Sequence, residues 1–518
     1  MKPDRLAALD IGTNSIRCIV VEVDKYRKFR VLDDEKATVR LGEGIVKEGT
    51  ISRAAWQRAM EAVSRMNKII TGYGVIGIEA VATSAIRMAN NGNAFVQAIS
   101  DDFGLQISVI SGEEEAELAA LSTFNNFDME GSCYAMADIG GGSVEVITAM
   151  GDHIDEIFSI DLGAVILTEK FINSDPIKQV DYQRLCKHIS KKFKSAVPGE
   201  ILSTKCLIGS GGTMTAIAAM VMAKREDDFG SIHGYEVHRS EVVHLLDLLM
   251  NKNIKERKSI AGLSPDRADI VVAGVTVVNK LMKLLNVNIL KINERGIREG
   301  LILKGLKKRN LLPAGCHPKN WRSSVLEFAR SCSNDEEHSL HVAKLALEIF
   351  DTIAIPFGLD GKERRMLEAA ALMHDIGYFI NYRGHHKHTY HLIRHAELYG
   401  FTAREREIIA NVARYHRKSL PKNKHENFVR LSASDRLLVR RLGGILRLAD
   451  GLDRRRKRLV SALDCSLSSS TFTVKLKGGD DFSVELFGGQ LKGDLFEEAF
   501  CTRLLLIAPH QIEQRRAA

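Results

Sequence analysis

One six-residue pattern occurs twice in the chain, and its residue types suit the binding of a phosphate together with a divalent cation. The copies, 128 positions apart, are Asp10-Ile11-Gly12-Thr13-Asn14-Ser15 and Asp138-Ile139-Gly140-Gly141-Gly142-Ser143. Apolar runs flank each copy, which predicts two strands joined by a tight turn whose glycines tolerate positive φ and allow close approach. Backbone N–H groups and a hydroxyl in such a turn form an anion-binding concavity, and the preceding aspartate can hold a divalent cation. The duplication predicts two related domains that grip a phosphate between them.

A third glycine turn, Gly209-Ser210-Gly211-Gly212-Thr213, connects an apolar run to a helical pattern. The N-terminus of a helix presents free N–H groups and partial positive charge, so this turn also suits an anion. A single glycine turn is more often structural than functional. Three of them in an α/β sequence favour a phosphate site.

The elements that must position these turns alternate between strand-like and helix-like patterns over residues 6 to 310. The first half has expected helices at 53–70, 93–101 and 112–123, and expected strands at 75–82 and 106–110. The second half repeats the plan with a hairpin at 134–150, strands at 205–209 and 288–292, and helices at 181–196, 213–223, 240–250, 268–285 and 297–308. This repetition predicts an α/β fold of two related domains with mixed sheets and a cleft between them.

The pattern becomes helical beyond Leu312-Pro313-Ala314-Gly315, which predicts a domain boundary there. Helices are expected at 325–330, 338–353, 362–374, 403–415 and 435–452. Residues 465–491 alternate short β runs with the expected turns Lys477-Gly478-Gly479 and Phe487-Gly488-Gly489. The predicted domains are therefore 1–125 and 126–312, both α/β, an all-α domain at 313–460, and a small α+β domain at 461–518.

Length and composition describe a globular protein of several domains. The chain has 518 residues, of which 45% are hydrophobic and 27% charged, and its formal net charge is +8. No stretch approaches the roughly 18 apolar residues of a membrane helix, and early charged residues argue against a signal peptide. The 8 cysteines contain no CxxC pair, which predicts free thiols in the cytoplasm rather than disulfides or a zinc site.

Six phrases occur in a characteristic order along residues 5–305. They are the two repeats, the third glycine turn, Thr83-Ser84-Ala85-Ile86-Arg87, Ile110-Ser111-Gly112-Glu113-Glu114-Glu115-Ala116, and Arg298-Glu299-Gly300. Together they resemble the exopolyphosphatase/guanosine pentaphosphate phosphatase (Ppx/GppA) family. The resemblance implies duplicated actin-like (ribonuclease H-like) domains of the actin/hexokinase/Hsp70 superfamily, a homodimer, and phosphoanhydride hydrolysis with Mg²⁺. Kinases and ATPases of that superfamily bind adenosine beside the third turn, but the phrase at 110–116 favours a phosphatase.

The resemblance also implies roles for individual residues. Glu115 would be the general base, since a glutamate of ordinary pKa, about 4.3, is ionised at neutral pH, whereas Glu113 and Glu114 would point to other helix faces. Asp138 and Glu145, with Asp10 as a third carboxylate, would hold Mg²⁺. The implied phosphate-binding residues are Gly12, Thr13, Asn14, Ser15, Arg87, Gly140, Gly141, Gly142, Ser143, Gly211, Gly212, Thr213 and Arg298. An ion pair of Arg298 with Glu299 or Glu294 is an equally good interpretation.

The helical region contains a second set of residues that can ligate a metal. They are His338, the adjacent pair His374-Asp375, and Asp450, with His388 and His416 available for a second ion. Their order and spacing resemble the metal site of HD domains, and imidazole with carboxylate suits a first-row divalent ion. The adjacent pair is expected at a helix end, with Gly377 as its cap. In many Ppx/GppA members this domain has lost its ligands and serves as a scaffold, so the sequence leaves metal binding and a separate activity open.

Residues 436–458 are unusually rich in arginine. A solvated helix face is the plain interpretation. A lined track for a long polyphosphate is the functional one, because a polyanion needs charge along its length that salt does not screen. Nucleic acid is a weaker interpretation, since no aromatic residues alternate with these arginines to stack on bases.

The predicted function is a Mg²⁺-dependent exopolyphosphatase that releases orthophosphate from inorganic polyphosphate by direct attack of water, with Glu115 as base. Guanosine pentaphosphate presents the same terminal phosphoanhydride, so a 5′-phosphohydrolase acting on it is the main competing function. Two further functions are compatible with the motifs. One is a protein that only senses polyphosphate or guanosine tetra- and pentaphosphate, and the second is an HD phosphohydrolase with an actin-like accessory region.

Overall fold

The computed structural model describes residues 3–24, 29–129, 133–197, 204–311, 320–479 and 481–508. The chain divides into unit 1, residues 1–228 and 232–318, and unit 2, residues 319–518 with the short segment 229–231. The predicted boundary at 312–315 lies outside the described residues, so the four domain limits stay predictions. Within the described ranges, no helix combines the length and hydropathy that a membrane span requires.

The first half of unit 1 is built on a five-stranded sheet. Its strands are β1 (Asp4–Ile11), β2 (Ser15–Val23), β3 (Phe29–Thr38), β4 (Gly77–Ala82) and β5 (Ser108–Val109), in the order β3-β2-β1-β4-β5. Its helices are α1 (Ile45–Glu48), α2 (Arg53–Tyr73), α3 (Ser84–Met88), α4 (Gly92–Phe103) and α5 (Gly112–Asn126). In β1, Ala7 and Leu9 pack into one apolar cluster and Leu6 and Ala8 into another. This strand is a continuous apolar run because both of its faces are buried.

The second half of unit 1 repeats this arrangement on a six-stranded sheet. Its strands are β6 (Cys133–Ile139), β7 (Val144–Met150), β8 (His153–Ile160), β9 (Leu207–Ser210), β10 (Glu236–His238) and β11 (Ile289–Ile292), in the order β10-β11-β9-β6-β7-β8. Its helices are α6 (Ala164–Phe171), α7 (Gln179–Ala196), α8 (Gly212–Arg225), α9 (Arg239–Met250), α10 (Ile254–Arg257), α11 (Val271–Leu284) and α12 (Ile297–Lys308). Strands β8-β7-β6-β9 have the same relative directions as β3-β2-β1-β4. The predicted duplication is therefore confirmed.

Every helix predicted in unit 1 overlaps an observed helix, but some elements were not predicted. The strands β3 and β8 were missed because they are edge strands whose exposed charged residues hide the apolar alternation. The helix α6 also lacked a sequence signal. The strand predicted at 106–110 is only two residues long.

Unit 2 begins as a helical bundle, as predicted. Its helices are α13 (Trp321–Ser331), α14 (Glu336–Ile353), α15 (Gly361–Met373), α16 (His385–His395), α17 (Ala403–Arg414), α18 (Glu426–Val429) and α19 (Ala433–Gly451). The helix α16 was not predicted, because its histidine-rich sequence has modest intrinsic helix propensity. Packing of Tyr390 and Ile393 into the apolar core of the bundle accounts for it.

Unit 2 ends in a small α+β region, which confirms that part of the predicted fold class. It contains β12 (Val460–Leu467), β13 (Thr471–Gly478), α20 (Ser483–Lys492), α21 (Asp494–Phe500) and β14 (Arg503–Ile507), with strand order β12-β13-β14. The turn predicted at 487–489 is wrong, because these residues lie inside α20. A Cβ on Gly488 would lie 2.3 Å from the carbonyl oxygen of Gly451, so glycine here allows α20 to pack against α19.

Candidate active site

The two copies of the repeated turn adopt the same backbone structure and line one cleft in unit 1. The N–H of Gly12 donates to the carbonyl of Ser15, and the N–H of Gly140 donates to the carbonyl of Ser143, both at 3.1 Å. The cleft has a volume of about 120 Å³. The predicted site residues that line it are Asp10, Gly12, Thr13, Asn14, Ser15, Glu115, Asp138, Gly140, Gly141, Gly142, Ser143, Gly211, Gly212 and Arg298.

Of the two reasons expected for the glycines of these turns, close approach is confirmed and positive φ is wrong. None of the four has a positive φ. A Cβ on Gly142 would lie 2.3 Å from Ser84 Oγ and 2.8 Å from Thr13 Oγ1. A Cβ on Gly141 would lie 2.9 Å from the Cβ of Thr13. The two turns and the start of α3 therefore pack against one another without intervening side chains.

The third glycine turn brings the N-terminus of α8 to the same cleft. Gly211 has φ +91°, and a Cβ there would lie 2.8 Å from Asp138 Oδ1. The hydroxyl of Ser210 donates to Asp138 Oδ2 at 2.8 Å. This turn thus supports the aspartate of the second repeat as well as the helix start.

Thr213, which the sequence assigned to phosphate, is a buried packing residue and is not among the cleft-lining residues. Its Oγ1 accepts a hydrogen bond from Arg267 Nη2 at 3.4 Å, and it packs where a Cβ on Gly274 would lie, at 2.7 Å. Thr215, two residues further along α8, lines the cleft instead.

Helix α5 separates the three consecutive glutamates. The N–H of Ser111 donates to Glu114 Oε2 at 2.9 Å, and the N–H of Glu114 donates to Ser111 Oγ at 3.1 Å, so Glu114 forms a capping box. Glu113 is exposed, whereas Glu115 is buried and lines the cleft. Only Glu115 can act in the cleft.

Four carboxylates meet around the second repeat, and the effect of burial on their pKa values outweighs that of the nearby arginines. Burial raises the pKa of Glu145 to about 8 and that of Asp10 to about 6. Burial, followed by repulsion from Glu145, raises the pKa of Glu115 well above its ordinary value, and burial also raises that of Asp138. The ordinary glutamate pKa assumed from the sequence is therefore wrong for Glu115.

The same carboxylates fit a divalent cation. Asp10 Oδ1 and Glu145 Oε2 are buried without a hydrogen-bond partner among the described residues. The other oxygen of Glu145 accepts from Ser159 Oγ at 3.1 Å. Oxygen atoms that are buried, unpaired and close to like charges are the ligands that Mg²⁺ prefers.

The structure places Arg87 beside Glu115, a contact that its predicted role as a phosphate clamp did not include. Its Nη1 and Nη2 lie 3.2 and 3.3 Å from Glu115 Oε2, and Nη1 also donates to the carbonyl of Ile110 at 2.5 Å. Arg87 is not among the residues that line the cleft. It therefore orients Glu115 and stabilises its charged form.

Three other arginines, Arg17, Arg267 and Arg298, line the cleft. Burial lowers the pKa of Arg267 to about 10, so this side chain is still a cation at neutral pH. Nothing in the sequence around the short turn Pro265–Arg267 marks Arg267 as a site residue. It was missed because folding, and not a local motif, brings it beside α8.

Arg298 lines the cleft and pairs with Asp34 of β3, a partner that neither of its two sequence interpretations named. Glu299 instead accepts hydrogen bonds from Ser122 at 3.1 Å and Asn126 at 2.8 Å, both on α5. Gly300 allows the two helices to meet, because its Cβ would lie 2.1 Å from the carbonyl oxygen of Leu118. The contacts of Glu299 and Gly300 therefore hold α12 against α5, the helix that carries Glu115.

The four predicted ligands of the helical region also come together. Nε2 of His338 lies 3.6 Å from Asp450 Oδ1, and Nε2 of His374 lies 3.8 Å from the same oxygen. Nε2 of His374 lies 3.6 Å from Asp375 Oδ2. His385, and not His388, stands beside His416, with their Nε2 atoms 3.2 Å apart.

Gly377 does not cap the helix that precedes the pair, because α15 ends at Met373 and Gly377 lies in the next turn, Ile376–Phe379. A Cβ on Gly377 would lie 2.0 Å from the carbonyl oxygen of His385. Glycine here brings α16 close to the pair, which explains how His385 reaches Asp375.

Five side chains of the basic segment contact acidic partners within unit 2. Arg440 contacts Glu498, Arg447 contacts Asp494, Arg455 contacts Glu485 and Asp481, Arg456 contacts Asp335 and Asp375, and Arg458 contacts Glu337. Arg454, Arg456, Lys457 and Arg458 are exposed, which agrees with the solvated face, and the polyphosphate track stays a prediction.

Comparisons with known proteins agree with this architecture. The model of the Ppx/GppA phosphatase family matches residues 19–309, and the model of Ppx/GppA phosphatase domain III matches residues 322–486. Three similar solved structures are an exopolyphosphatase from Cytophaga hutchinsonii (26% identity, TM-score 0.56, 60% of this chain and 100% of that one), a Ppx/GppA family member from Aquifex aeolicus (25%, 0.52, 59% and 99%) and an exopolyphosphatase-like protein (26%, 0.55, 60% and 100%). The expected actin-like fold is confirmed. The chain is a phosphatase that belongs to the Ppx/GppA family.

Proposed function

We propose that the protein is an exopolyphosphatase, which hydrolyses the terminal phosphoanhydride of inorganic polyphosphate and releases orthophosphate. The observation that carries the proposal is the buried carboxylate of Glu115, which Arg87 holds in a cleft walled by three glycine turns. Phosphatase chemistry follows from the family, and a similar structure described as an exopolyphosphatase supports this substrate.

The cleft offers the groups that bind and orient a phosphoryl group. The turns at 12–15 and 140–143 present backbone N–H groups, and the N-terminus of α8 adds partial positive charge. Arg17, Arg267 and Arg298 line the same cleft, and a guanidinium group matches phosphoryl oxygens in a bidentate geometry. These groups fix the terminal phosphorus in front of the attacking water.

Asp138, Glu145 and Asp10 are the residues that would hold Mg²⁺. A bound Mg²⁺ ion would neutralise charge on the phosphoryl oxygens during phosphoryl transfer. The unpaired atoms of Asp10 and Glu145 support this assignment.

Glu115 is the proposed general base. The oxygen of water forms a bond to the terminal phosphorus while the bridging P–O bond breaks, the proton of water passes to Glu115, and the shortened polyphosphate leaves with the bridging oxygen. The raised pKa of Glu115 makes its ionised form a stronger base, and the ion pair with Arg87 maintains that form.

The test is phosphate release from long polyphosphate, tripolyphosphate and guanosine pentaphosphate, measured side by side. Glu115→Gln should lower release about 10²- to 10⁴-fold, because it removes the base and leaves the shape of the side chain. Glu113→Gln, on the exposed face of the same helix, is the matched control and should be unchanged. Near-normal release by a folded Glu115→Gln variant would contradict the assignment of the base.

The same assay distinguishes exopolyphosphatase activity from the competing functions. Faster release from guanosine pentaphosphate than from polyphosphate would indicate the 5′-phosphohydrolase. Tight binding of either compound without phosphate release at any Mg²⁺ concentration would indicate a sensing protein. The homodimer and the cytoplasmic location stay predictions.

A further inference from the structure

A polar contact joins the two halves of unit 1 beside the cleft. Arg40 follows β3 in the first half, and its Nη1 lies 2.8 Å from Oδ2 of Asp269, in the loop before α11 in the second half. Nη2 of Arg40 donates to the carbonyl of Asp266 at 3.1 Å. The hydroxyl of Thr38, the last residue of β3, donates to Oδ2 of Asp266 at 2.7 Å. These four residues, Thr38, Arg40, Asp266 and Asp269, are called the clasp.

The clasp is connected to the first repeated turn through the backbone. The N–H groups of Val39 and Arg40 both donate to the carbonyl of Asn14, at 3.0 and 2.9 Å. The N–H of Gly42 donates to the carbonyl of Thr13 at 2.9 Å. Arg40 has φ +52°, in the left-handed region that a residue with a Cβ rarely adopts, and such a conformation persists only where the surrounding structure imposes it. The turn that lines the cleft therefore sets the position of Arg40.

Arg267 lies between the two aspartates of the clasp in the sequence, and its side chain lines the cleft. The guanidinium packs on the start of α8, where a Cβ on Gly212 would lie 2.3 Å from its Nη1. Burial lowers the pKa of Arg267, and the negative charges of Asp266 and Asp269 act in the opposite direction, so both carboxylates are near it. Among the described residues, however, the ion pairs of these two aspartates are with Lys36 and Arg40, and not with Arg267.

The clasp thereby affects what the guanidinium of Arg267 can bind. A carboxylate and a phosphoryl group compete for the same fork of N–H donors. The clasp and Lys36 engage the carboxylates on either side of Arg267. Without Arg40, Oδ2 of Asp269 would lose its partner, and Oδ1 is already buried without one among the described residues. An unpaired carboxylate near a buried guanidinium is expected to pair with it, since the alternative leaves two buried charges uncompensated.

The groups involved are charged at neutral pH. Burial acts to raise the pKa of Asp266, but hydrogen bonds from Ser264 and Thr38 and the charge of Lys36 outweigh it and lower this pKa to about 2. The pKa of Arg267, about 10, keeps its guanidinium a cation. Competition between carboxylate and phosphate for Arg267 is therefore present throughout the neutral pH range.

We propose that Thr38 and Arg40 are positioning residues for substrate binding. The clasp holds the loop 264–269 beside the cleft and occupies its carboxylates, so that the guanidinium of Arg267 stays available to the phosphate groups of the substrate. Neither Thr38 nor Arg40 is among the residues that line the cleft, so both act through Arg267. This role rests on the proposed exopolyphosphatase function of the cleft.

The first test is steady-state hydrolysis of tripolyphosphate by the full chain with Mg²⁺. Arg40→Met should raise KM about tenfold, the loss expected when Arg267 no longer makes one charge-assisted hydrogen bond to substrate, with a much smaller change in kcat. Thr38→Val should also raise KM, whereas Thr38→Ser, which keeps the hydroxyl, should have the wild-type value. Arg30→Met is the control, because Arg30 lies on the same strand but pairs with Glu22 within the first half.

A second substitution separates positioning from a merely structural role. Asp269→Asn added to Arg40→Met should bring KM back towards the wild-type value, because the amide no longer attracts Arg267 as the carboxylate does. The effects of Arg40→Met and Arg267→Met on KM should not add, since both act through the same guanidinium. A structural role would instead give a double variant that is as impaired as Arg40→Met or more so. Circular dichroism of each variant checks that it is folded, and Thr38→Val tests the same contact if Arg40→Met does not fold.

An unchanged KM in Arg40→Met, or no recovery on adding Asp269→Asn, would overturn the positioning role and leave the proposed function intact. Wild-type protein that releases no phosphate from tripolyphosphate or long polyphosphate would contradict the proposed function instead. Binding of tripolyphosphate to the Glu115→Gln protein, measured by isothermal titration calorimetry, tests the clasp without hydrolysis. Its affinity should fall about tenfold when Arg40→Met is added, and an unchanged affinity would overturn the positioning role.

Discussion

The two polar clusters of this protein have opposite charge balances. In the cleft of unit 1, burial raises the pKa of Glu145 to about 8, and the neighbouring carboxylates add to the effect on Glu115. The second cluster lies in the helical region of unit 2 and is called the helical cluster; its residues are His338, His374, Asp375, His385, His416 and Asp450. Burial also acts to raise the pKa of Asp375, but His374, His416 and Arg456 outweigh it and lower this pKa to about 2. In the cleft, burial outweighs the attraction of Arg17, Arg87 and Arg298, whereas in the helical cluster the neighbouring positive charges outweigh burial.

This difference separates the roles of the two sites. A cluster of oxygen donors with unmet negative charge favours a hard cation such as Mg²⁺, while imidazole donors favour first-row transition metals. The cleft is built on turns at strand ends, where backbone N–H groups are available to a phosphate. The helical cluster is lined by side chains, among them the cations Arg417, Arg454, Arg456 and Lys492.

The largest expected effect separates the sites by activity. Asp138→Asn should lower phosphate release from polyphosphate about 10²-fold or more, since it removes a proposed Mg²⁺ ligand, and such an ion stabilises the transition state by several kcal/mol. His374→Ala should leave this activity within about twofold, because the helical cluster takes no part in the cleft reaction. Asp152→Asn, an exposed aspartate, is the control for charge. The reverse result, with His374→Ala inactive and Asp138→Asn active, would indicate an HD phosphohydrolase.

The second effect concerns binding in the cleft. Arg267→Met preserves much of the apolar volume but removes a buried guanidinium beside the third turn, so KM for polyphosphate should rise about 10- to 100-fold, with a smaller change in kcat. Arg454→Met, at the opening of the helical cluster, should leave KM unchanged. Steady-state kinetics on tripolyphosphate measures both variants. A change in kcat alone would place Arg267 in the reaction step and not in substrate binding.

The same comparison shows which parts of the sites a single sequence contains. The duplicated turns were recognisable because their function depends on glycine and aspartate at adjacent positions. The difference between the two turns was not recognisable from the sequence. Asp10 lies opposite Arg17 in its hairpin, whereas Asp138 lies opposite Glu145. Equivalent positions carry opposite charges, and only the register of the strands shows that they are equivalent.

Residues brought in by packing were the least predictable. Arg267 belongs to no motif. His385 is one of several histidines in α16, and the sequence does not show that the close approach at Gly377 places this one beside Asp375. Arg87 was recognised as a site residue, but its contact with Glu115 depends on how α3 is placed relative to the first turn of α5. The spacing of residues in the sequence predicts the local structure of turns, but it does not predict which distant side chains folding brings together.

The third effect is the pH dependence of stability in metal-free protein. Asp10 and Glu145 have folded-state pKa values raised to about 6 and about 8, so the folded state binds more protons than the unfolded state between about pH 4 and pH 8. Stability should therefore fall as pH rises through this window, by several kcal/mol, since one pKa unit corresponds to about 1.4 kcal/mol. The effect of Asp375 on the pH dependence of stability has the opposite sign, because its pKa is lowered. Its ionised form stabilises the folded state, and this stabilisation is lost only as pH falls from about 4 to 2.

Urea unfolding of chelated protein at pH 5 and pH 8 measures this slope. Excess Mg²⁺ should remove most of it, because the ion replaces the protons on the cleft carboxylates. An Asp10→Asn, Glu145→Gln variant should show a flatter slope without Mg²⁺. A stability that rises from pH 5 to pH 8 in the chelated wild-type protein would contradict the charge balance assigned to the cleft.

The smallest expected effect is the loss of stability caused by a glycine-to-alanine substitution in each site, which reports how rigidly the site is packed. A Cβ on Gly142, in the cleft, would meet the side chains of Ser84 and Thr13, whereas a Cβ on Gly377, in the helical cluster, would meet a backbone carbonyl at 2.0 Å. Side chains can change rotamer and a backbone carbonyl cannot, so Gly377→Ala should cost more stability, at least about 1 kcal/mol, and Gly142→Ala should cost less while lowering activity. Gly72→Ala, in α2 with no atom within 4 Å, is the control and should be neutral or slightly stabilising. Denaturant midpoints and phosphate release measured on the three variants decide the comparison, and equal stability losses at Gly142 and Gly377 would show that the cleft turns are as rigid as the helical packing.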